Sequence, residues 1–296
     1  MQLAMTLLVR DEADIVRENL EFHLARGVDH IIATDNGSSD GTVEILEDYA
    51  RAGVLTLFHE PSRDFQKEIW VTRMAFLARD EFGADWILNN DADEFWRPPS
   101  GPDGQSGNLK TVLAGRTAKL LTCQRYNMIC AIKDLEKHHW RDSLVWRKAR
   151  RRQPLPNLAD PLRDRLLRPY FMYDLPSKVM VRSEGLVEVD RGCHNARFEP
   201  PASREDCEIS IYHFPIRSKA EFQASVAQFA QALARDQTVS PKTSWKYRRW
   251  GQMLAEEGSI DSAFAEALPS KLKFWYYLVR GDLVRDWTMR DELEAL

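Results

Sequence analysis

The first hundred residues alternate short apolar runs with helically spaced apolar positions, and turn residues mark the junctions. This rhythm constrains the fold more than any other feature of the chain. Met5–Val9 reads as a strand. Asp14 stands where it can cap a helix in which Ile15, Val16, Leu20 and Leu24 keep helical spacing, with Gly27 as the stop. His30–Thr34 reads as a second strand and runs into Asp35-Asn36-Gly37-Ser38-Ser39-Asp40-Gly41, a turn-rich loop. A helix with Val43, Ile45, Leu46 and Tyr49 follows and ends at Gly53. Val54–Phe58 is a third strand, Gln66 to Phe82 a longer helix with Gly83 as C-cap, and Trp86–Asn89 a fourth strand.

Strands joined by helices through short connections predict a mostly parallel sheet covered on both faces. In such sheets ligands bind beyond the carboxyl ends of the strands. Three polar stretches fall at that edge: Arg10-Asp11-Glu12, the loop 35–41, and Asp91-Ala92-Asp93-Glu94-Phe95. The last is the most unusual, because three acids crowd into four positions and repel one another. In an extended chain Asp91 and Asp93 share a face. Two hard oxygen donors at that spacing suit Mg²⁺ or Mn²⁺. Phe95 stands where a calcium EF-hand loop needs Asp or Asn, and where a haloacid dehalogenase-type phosphatase needs Thr or Val. On its own the stretch is also that of a polar turn whose acids cap and solvate a strand end.

The chain of 296 residues fits one large domain or a core domain with an appendage. A net charge of −4 gives no general attraction to nucleic acid, and none is expected as a partner. No apolar run approaches the ~20 residues of a membrane span. The start, MQLAMTLLVRDE, lacks the basic flank and cleavage site of a signal peptide. The four cysteines form no CxxC pair, so free thiols in a reducing cytoplasm are expected.

The middle is less regular. Residues 98–108 read as a loop. Residues 147–169 read as an exposed excursion carrying Arg147, Lys148, Arg150, Arg151 and Arg152. That basic run is either a solvated loop or a patch for an anionic acceptor or a membrane surface. Val179–Val181 and Leu186–Val189 read as a hairpin about Ser183-Glu184-Gly185. Glu208–His213 alternates as a strand. The tail, 218–296, reads as helical. Ser218 and Glu221 form a capping box, Ser240-Pro241 opens another helix, and Phe274–Leu278 belong to a last one. The aromatic cluster 274–277 reads either as core or as an interfacial foot.

The run LLVRDEADIVRENLEFHLARGVDHIIATDNGSSDGT, followed by WILNNDADEFW, resembles the family 2-like glycosyltransferases of the GT-A fold, closest to the bacterial branch related to family 92. His213-Phe214-Pro215-Ile216-Arg217-Ser218 also resembles a later block of that branch. The resemblance is strong over residues 3–100. It implies an α/β, Rossmann-like GT-A domain over 1–217, divided into a nucleotide-binding half (1–97) and an acceptor-side half (98–217), followed by a helical extension (218–296). It implies inverting transfer of a sugar from a nucleotide donor, with a uridine-linked donor as first choice, to a glycan or lipid-linked acceptor in surface polysaccharide assembly, with Mn²⁺ or Mg²⁺ as cofactor. Asp35 would contact the base, and Asp91 the ribose or the metal. Asp93 would hold the metal on the diphosphate, Glu12 would lie near the nucleotide, and Arg73 would face the diphosphate. Asp11 stands where Asn is common.

Inversion needs a carboxylate base. Asp190 is preferred, with Glu188 and Asp142 as alternatives. His213 and His194 are candidates for a late metal ligand, and Trp96 either stacks on a sugar or packs beneath the sheet. Two other readings remain. A nucleotidyltransferase making nucleotide sugars shares such a sheet, but its Gly-x-Gly-Thr-Arg loop is absent after strand one. A catalytically inactive, glycan-binding relative is the non-enzymatic alternative. A cytoplasmic setting, at the inner face of the membrane where the acceptor is lipid-linked, completes the expectation.

Overall fold

The computed structural model describes residues 1–61, 66–101, 107–149, 169–235, 240 and 243–296. In chain order the elements begin β1 (Leu3–Val9), α1 (Val16–Ala25), β2 (His30–Asp35), α2 (Thr42–Arg51), β3 (Leu55–His59), α3 (Lys67–Asp80), β4 (Trp86–Asn90) and β5 (Glu94–Arg97). They continue with α4 (Leu109–Leu113), β6 (Leu120–Ile129), α5 (Ile132–Leu135), α6 (Trp140–Ser143), β7 (Trp146–Lys148), β8 (Lys178–Arg182), β9 (Leu186–Val189), β10 (Ala196–Phe198) and β11 (Arg204–His213). The tail holds α7 (Lys219–Arg235), α8 (Trp245–Glu257), α9 (Asp261–Ala267), α10 (Lys271–Val279), β12 (Leu283–Arg285) and α11 (Thr288–Glu294).

Contacts divide the chain into two units. The first comprises Met1–Arg125, Pro176–His213 and Glu292–Leu296; the second comprises Tyr126–Leu175 and Phe214–Asp291. The described residues of 126–149 and 169–175, which the sequence reading grouped with the acceptor-side half, fall in the same unit as 214–291.

In the first unit the strand order is β6-β8-β4-β1-β2-β3. Strands β1 to β4 run parallel to one another, and β8 is antiparallel to both neighbours. Both faces of β1 are buried, as a near-continuous apolar strand requires. Ala4, Ile32 and Ile87 meet Val71, Met74, Ala75 and Ala78 of α3 on one face. Leu3, Met5 and Leu7 are fully buried on the other. Strand β5 pairs antiparallel with β11, and β9 with β10. Glu292 of α11 accepts from Arg26 Nη2 (2.9 Å) and Arg97 Nε (2.6 Å) and so returns the end of the chain to this unit. In the second unit β7 lies between β12 and the last residues of β6, and Ile129, Phe171, Met172, Phe274 and Leu283 share a core. No described helix is long and apolar enough to cross a membrane.

Several expectations need correction. The segments 179–181 and 186–189 do not pair with each other. Lys178 to Val181 are buried in succession, so β8 enters the central sheet between β4 and β6, while β9 turns to β10. Asp14 does not cap α1; the Glu12 carbonyl accepts the N–H groups of Ile15 (3.1 Å) and Val16 (2.9 Å). Arg147 and Lys148 lie in β7, ion-paired to Asp286 (2.6 Å) and Asp174 (2.5 Å), and not in a loop. Arg150, Arg151, Arg152 and Pro241 lie outside the described residues. Half of the capping box at α7 forms: Ser218 Oγ accepts from Glu221 N (3.0 Å), while the Glu221 carboxylate accepts from Arg217 N (3.4 Å), one residue before the cap.

A buried polar cluster positions the turn between β4 and β5. Asn19 of α1 donates from Nδ2 to the carbonyls of Ala92 and Glu94, both at 2.8 Å, and accepts from Asn90 Nδ2 at 2.8 Å. Trp96 Nε1 donates to Asn90 Oδ1 (2.9 Å). His23 Nδ1 lies 2.7 Å from the Asn19 carbonyl, and His23 Nε2 accepts the Trp96 N–H at 3.2 Å. A carbonyl only accepts and a backbone N–H only donates, so this ring is neutral with its proton on Nδ1. Burial pushes its pKa down from 6.5 to about 4. The unfolded chain therefore takes up the proton first, and the stability tied to this ring is complete above the unfolded pKa and lost as pH falls toward 4. Titration of the His23 ring by NMR is expected to show the Nδ1–H tautomer and no protonation down to about pH 5. A ring titrating at its ordinary value would refute the assigned hydrogen bonds.

Candidate active site

The carboxyl ends of β1, β2, β3 and β4 share one edge, and the loops there are stitched together. Asp11 adopts φ +53°, a left-handed conformation that Asp and Asn tolerate better than other side chains. Its Oδ1 accepts from Ser39 N (2.7 Å), and its N–H donates to Ser38 Oγ (2.9 Å). Glu12 N donates to Thr42 Oγ1 (2.8 Å), and Ala13 N to Asp40 Oδ2 (2.9 Å). Asp35 is buried at the end of β2, where its Oδ2 accepts from Gly37 N (3.0 Å) and Ser38 N (3.2 Å). It orders its own loop. Arg73 is exposed on α3, with its guanidinium 5.3 Å from the centre of the Phe58 ring.

Cations, all within the first unit, balance two of the three crowded acids. Lys178, whose side chain is only 1% exposed, places its ammonium 2.5 Å from Asp91 Oδ2 and 2.5 Å from Glu94 Oε2. Lys67, the first residue of α3, reaches Asp91 Oδ1 at 2.5 Å. Arg125 donates from Nη1 to Glu94 Oε1 at 2.8 Å. The result is a chain, Lys67–Asp91–Lys178–Glu94–Arg125, with one more cation than carboxylates. Burial opposes charge at Asp91, but Lys178 and Lys67 outweigh it and hold the carboxyl well below the usual range. Burial likewise opposes charge on Lys178, and Asp91 and Glu94 reverse it, so the ammonium titrates above its ordinary value.

Asp93 faces a different partner. Its Oδ2 lies 3.0 Å from His213 Nε2. The antiparallel pairing of β5 and β11 sets His213 opposite Glu94. Ligand atoms of Asp93, Glu94 and His213 all lie within 4.8 Å of one another, the one such group of three among the described residues. The structure therefore gathers Asp93, Glu94 and His213 and holds Asp91 between two lysines. His194 lies outside the group; its Nδ1 is 2.7 Å from the Ser177 carbonyl, and burial lowers its pKa. Asp190 Oδ1 accepts from His194 N at 2.7 Å and caps the turn after β9. Glu188 pairs with Arg197 (3.1 Å) on the solvent face of the β9–β10 ribbon. Asp142 is exposed on α6 in the second unit. Trp96 is fully buried, its indole N–H spent on Asn90, so it packs within the fold and offers no face to a sugar.

The model of Glycosyltransferase family 92 matches residues 5–252. The chain belongs to glycosyltransferase family 92. No curated protein matches this family 92 enzyme by sequence. Among solved structures it is similar to S. aureus TarS 1-349 in complex with UDP (12% identity, 91% of this chain and 81% of that one, TM-score 0.43). It is also similar to mannosyl-3-phosphoglycerate synthase from Rubrobacter xylanophilus (13% identity, 87% and 75% covered, TM-score 0.37). A third is glucosyl-3-phosphoglycerate synthase from Mycobacterium tuberculosis with Mn²⁺, UDP and phosphoglyceric acid (17% identity, 43% of each chain, TM-score 0.26).

Sequence reading missed the three balancing cations of this family 92 chain. Lys178 carried a signal, because it opens an otherwise apolar run and a cation buried with such a run needs a carboxylate. Replacing Lys178 with Met leaves the buried Glu94 and the part-buried Asp91 without their shared partner, though Arg125 and Lys67 remain, and is expected to cost at most about 3 kcal/mol in chemical denaturation. Adding Glu94→Gln is expected to restore part of that loss. Strict additivity of the two substitutions would show that the contact is energetically idle.

Proposed function

We propose that this family 92 glycosyltransferase moves a sugar from a nucleotide donor, with a uridine-linked donor as first choice, onto a hydroxyl of a glycan or lipid-linked acceptor, with inversion and with a divalent cation. The observation that carries this reading is the 3.0 Å approach of Asp93 to His213, with Glu94 alongside. A carboxylate oxygen and an imidazole nitrogen suit Mn²⁺, and the oxygen donors also suit Mg²⁺. Asp93 and His213 would hold the cation. Glu94 is the weaker third donor, since Arg125 and Lys178 already share its oxygens. When bound, the cation supplies Lewis-acid neutralisation of charge developing on the leaving diphosphate.

The residues of the chain do the rest. Lys67, on the rim of α3, is the cation of the Lys67–Asp91–Lys178–Glu94–Arg125 chain with most freedom to turn toward a phosphate. Asp35 keeps the loop 36–41 in shape to receive the base, and Glu12 lies in the adjoining loop. Asp91 is assigned to the ribose side of the donor. Arg73 is assigned to the diphosphate only after leaving the Phe58 ring. Asp190, anchored by the His194 N–H, is the proposed base for the acceptor hydroxyl. Cys123, Cys130, Cys193 and Cys207 form no disulfide in the structure, although Cys123 Sγ and Cys207 Sγ lie 3.0 Å apart, and the proposed setting is the cytoplasm.

Thermal denaturation with UDP and Mn²⁺ tests the reading. Together they are expected to stabilise the protein by about 2.7 kcal/mol at a hundredfold excess over Kd, with neither alone sufficient. Asp93→Ala should remove the metal-dependent part and slow sugar transfer at least about a hundredfold. If no nucleoside diphosphate gives a metal-dependent shift, the metal-assisted reading is lost.

A further inference from the structure

Helix α10 has two apolar faces. Phe274 points inward and meets Trp146 edge-on at 5.3 Å between ring centres, and Tyr277 meets Phe171 at 5.7 Å, both inside the second unit. Leu272, Trp275, Tyr276 and Val279 point outward and are 83%, 60%, 54% and 69% exposed. Their spacing of i, i+3, i+4 and i+7 is that of a single helix stripe. Half of the exposed large apolar side chains among the described residues sit on this one short helix. Scattered exposed apolar residues are ordinary on a protein surface, but a contiguous stripe marks a contact face.

The charges around the stripe identify what it contacts. At about 100° per residue, the four outward residues fill an arc of about 100°, Lys271 lies along one border, and Lys273 and Arg280 lie along the other. Residues 271–280 hold these three cations and no acid, in a chain with 45 acidic and 41 basic residues. The next acid, Asp282, pairs with Arg280 at 3.0 Å, and Arg280 also donates to the Tyr276 hydroxyl at 2.6 Å. Lys271 and Lys273 are exposed.

We propose that α10 docks the protein on an anionic lipid surface, lying in the plane of the interface. Leu272 and Val279 enter the acyl boundary. Trp275 and Tyr276 sit at headgroup level, where amphipathic rings are favoured. Lys271 and Lys273 run their stems along the stripe and place their charges on lipid phosphates, while Arg280 stays with Asp282 and the Tyr276 hydroxyl. A second copy of this chain fits the same face poorly, because it would bring like cations together around the stripe. The core contacts of Phe274 and Tyr277 hold the helix in place, so docking requires no local refolding. The inference rests on the α10 surface and is independent of the donor chemistry proposed above.

Co-sedimentation of the full chain with vesicles tests it. The protein is expected to pellet with vesicles of phosphatidylcholine and phosphatidylglycerol at low salt, and less so at high salt or with phosphatidylcholine alone. Leu272→Ser with Trp275→Ser, and separately Lys271→Glu with Lys273→Glu, should each lower the partition coefficient at least about tenfold. Both variants are expected to keep the wild-type Tm, since these side chains are exposed. Wild-type protein staying in the supernatant with anionic vesicles overturns the proposal, as does equal pelleting of the variants. So does a dimer in sedimentation velocity that the Leu272→Ser, Trp275→Ser variant abolishes, because a second copy then covers the face.

Discussion

The buried ammonium of Lys178 is the interaction on which the rest of the site depends. Asp91 and Glu94 come close enough to share one cation, which their mutual repulsion alone forbids. With that cation in place, Lys67 and Arg125 can close the two ends of the chain of charges. Asp93 then remains apart, turned toward His213. One lysine therefore sorts three neighbouring acids into two kinds: a pair locked by salt bridges and a single carboxylate set against an imidazole.

Beneath that arrangement lies a second constraint, made of neutral groups. The turn between β4 and β5 has carbonyls that would point into the fold unpaired. Asn19 satisfies two of them and is itself held by Asn90. His23 satisfies the N–H of Trp96. A buried amide network of this kind leaves little freedom to the backbone that carries the acids.

The parallel edge was legible because it is written in local periodicity: apolar runs, helical spacing and glycine stops recur within about ten residues of one another. The acids at the end of β4, the Asp35 loop and His213 were legible through the family resemblance. What was not legible depends on distant partners. Strand β5 is only four residues long, and its partner β11 lies more than a hundred residues further on. Lys178, opening an apolar run, signals that it needs a carboxylate, but nothing local says that Asp91 and Glu94 supply it. The turn signal at Ser183-Glu184-Gly185 pointed to a local hairpin, whereas β8 finds better burial between β4 and β6. Trp96 follows the acids in sequence, but its place in β5 carries it into the interior.

The first unit is assembled from three separate pieces of chain, and this has a consequence for biosynthesis. Lys178 follows Asp91 by 87 positions. At translation rates of about 5–20 residues per second, the acids leave the ribosome several seconds before their neutralising lysine. During that interval the nascent sheet lacks β8 and β11, and the end of β4 carries an uncompensated negative cluster. Water must solvate those carboxylates until the downstream strands arrive, so this edge is among the last parts of the unit to become ordered. Contacts this remote in sequence make for slow folding. An N-terminal fragment ending before β8 would carry the recognisable motifs without the charge balance that gives them their shape.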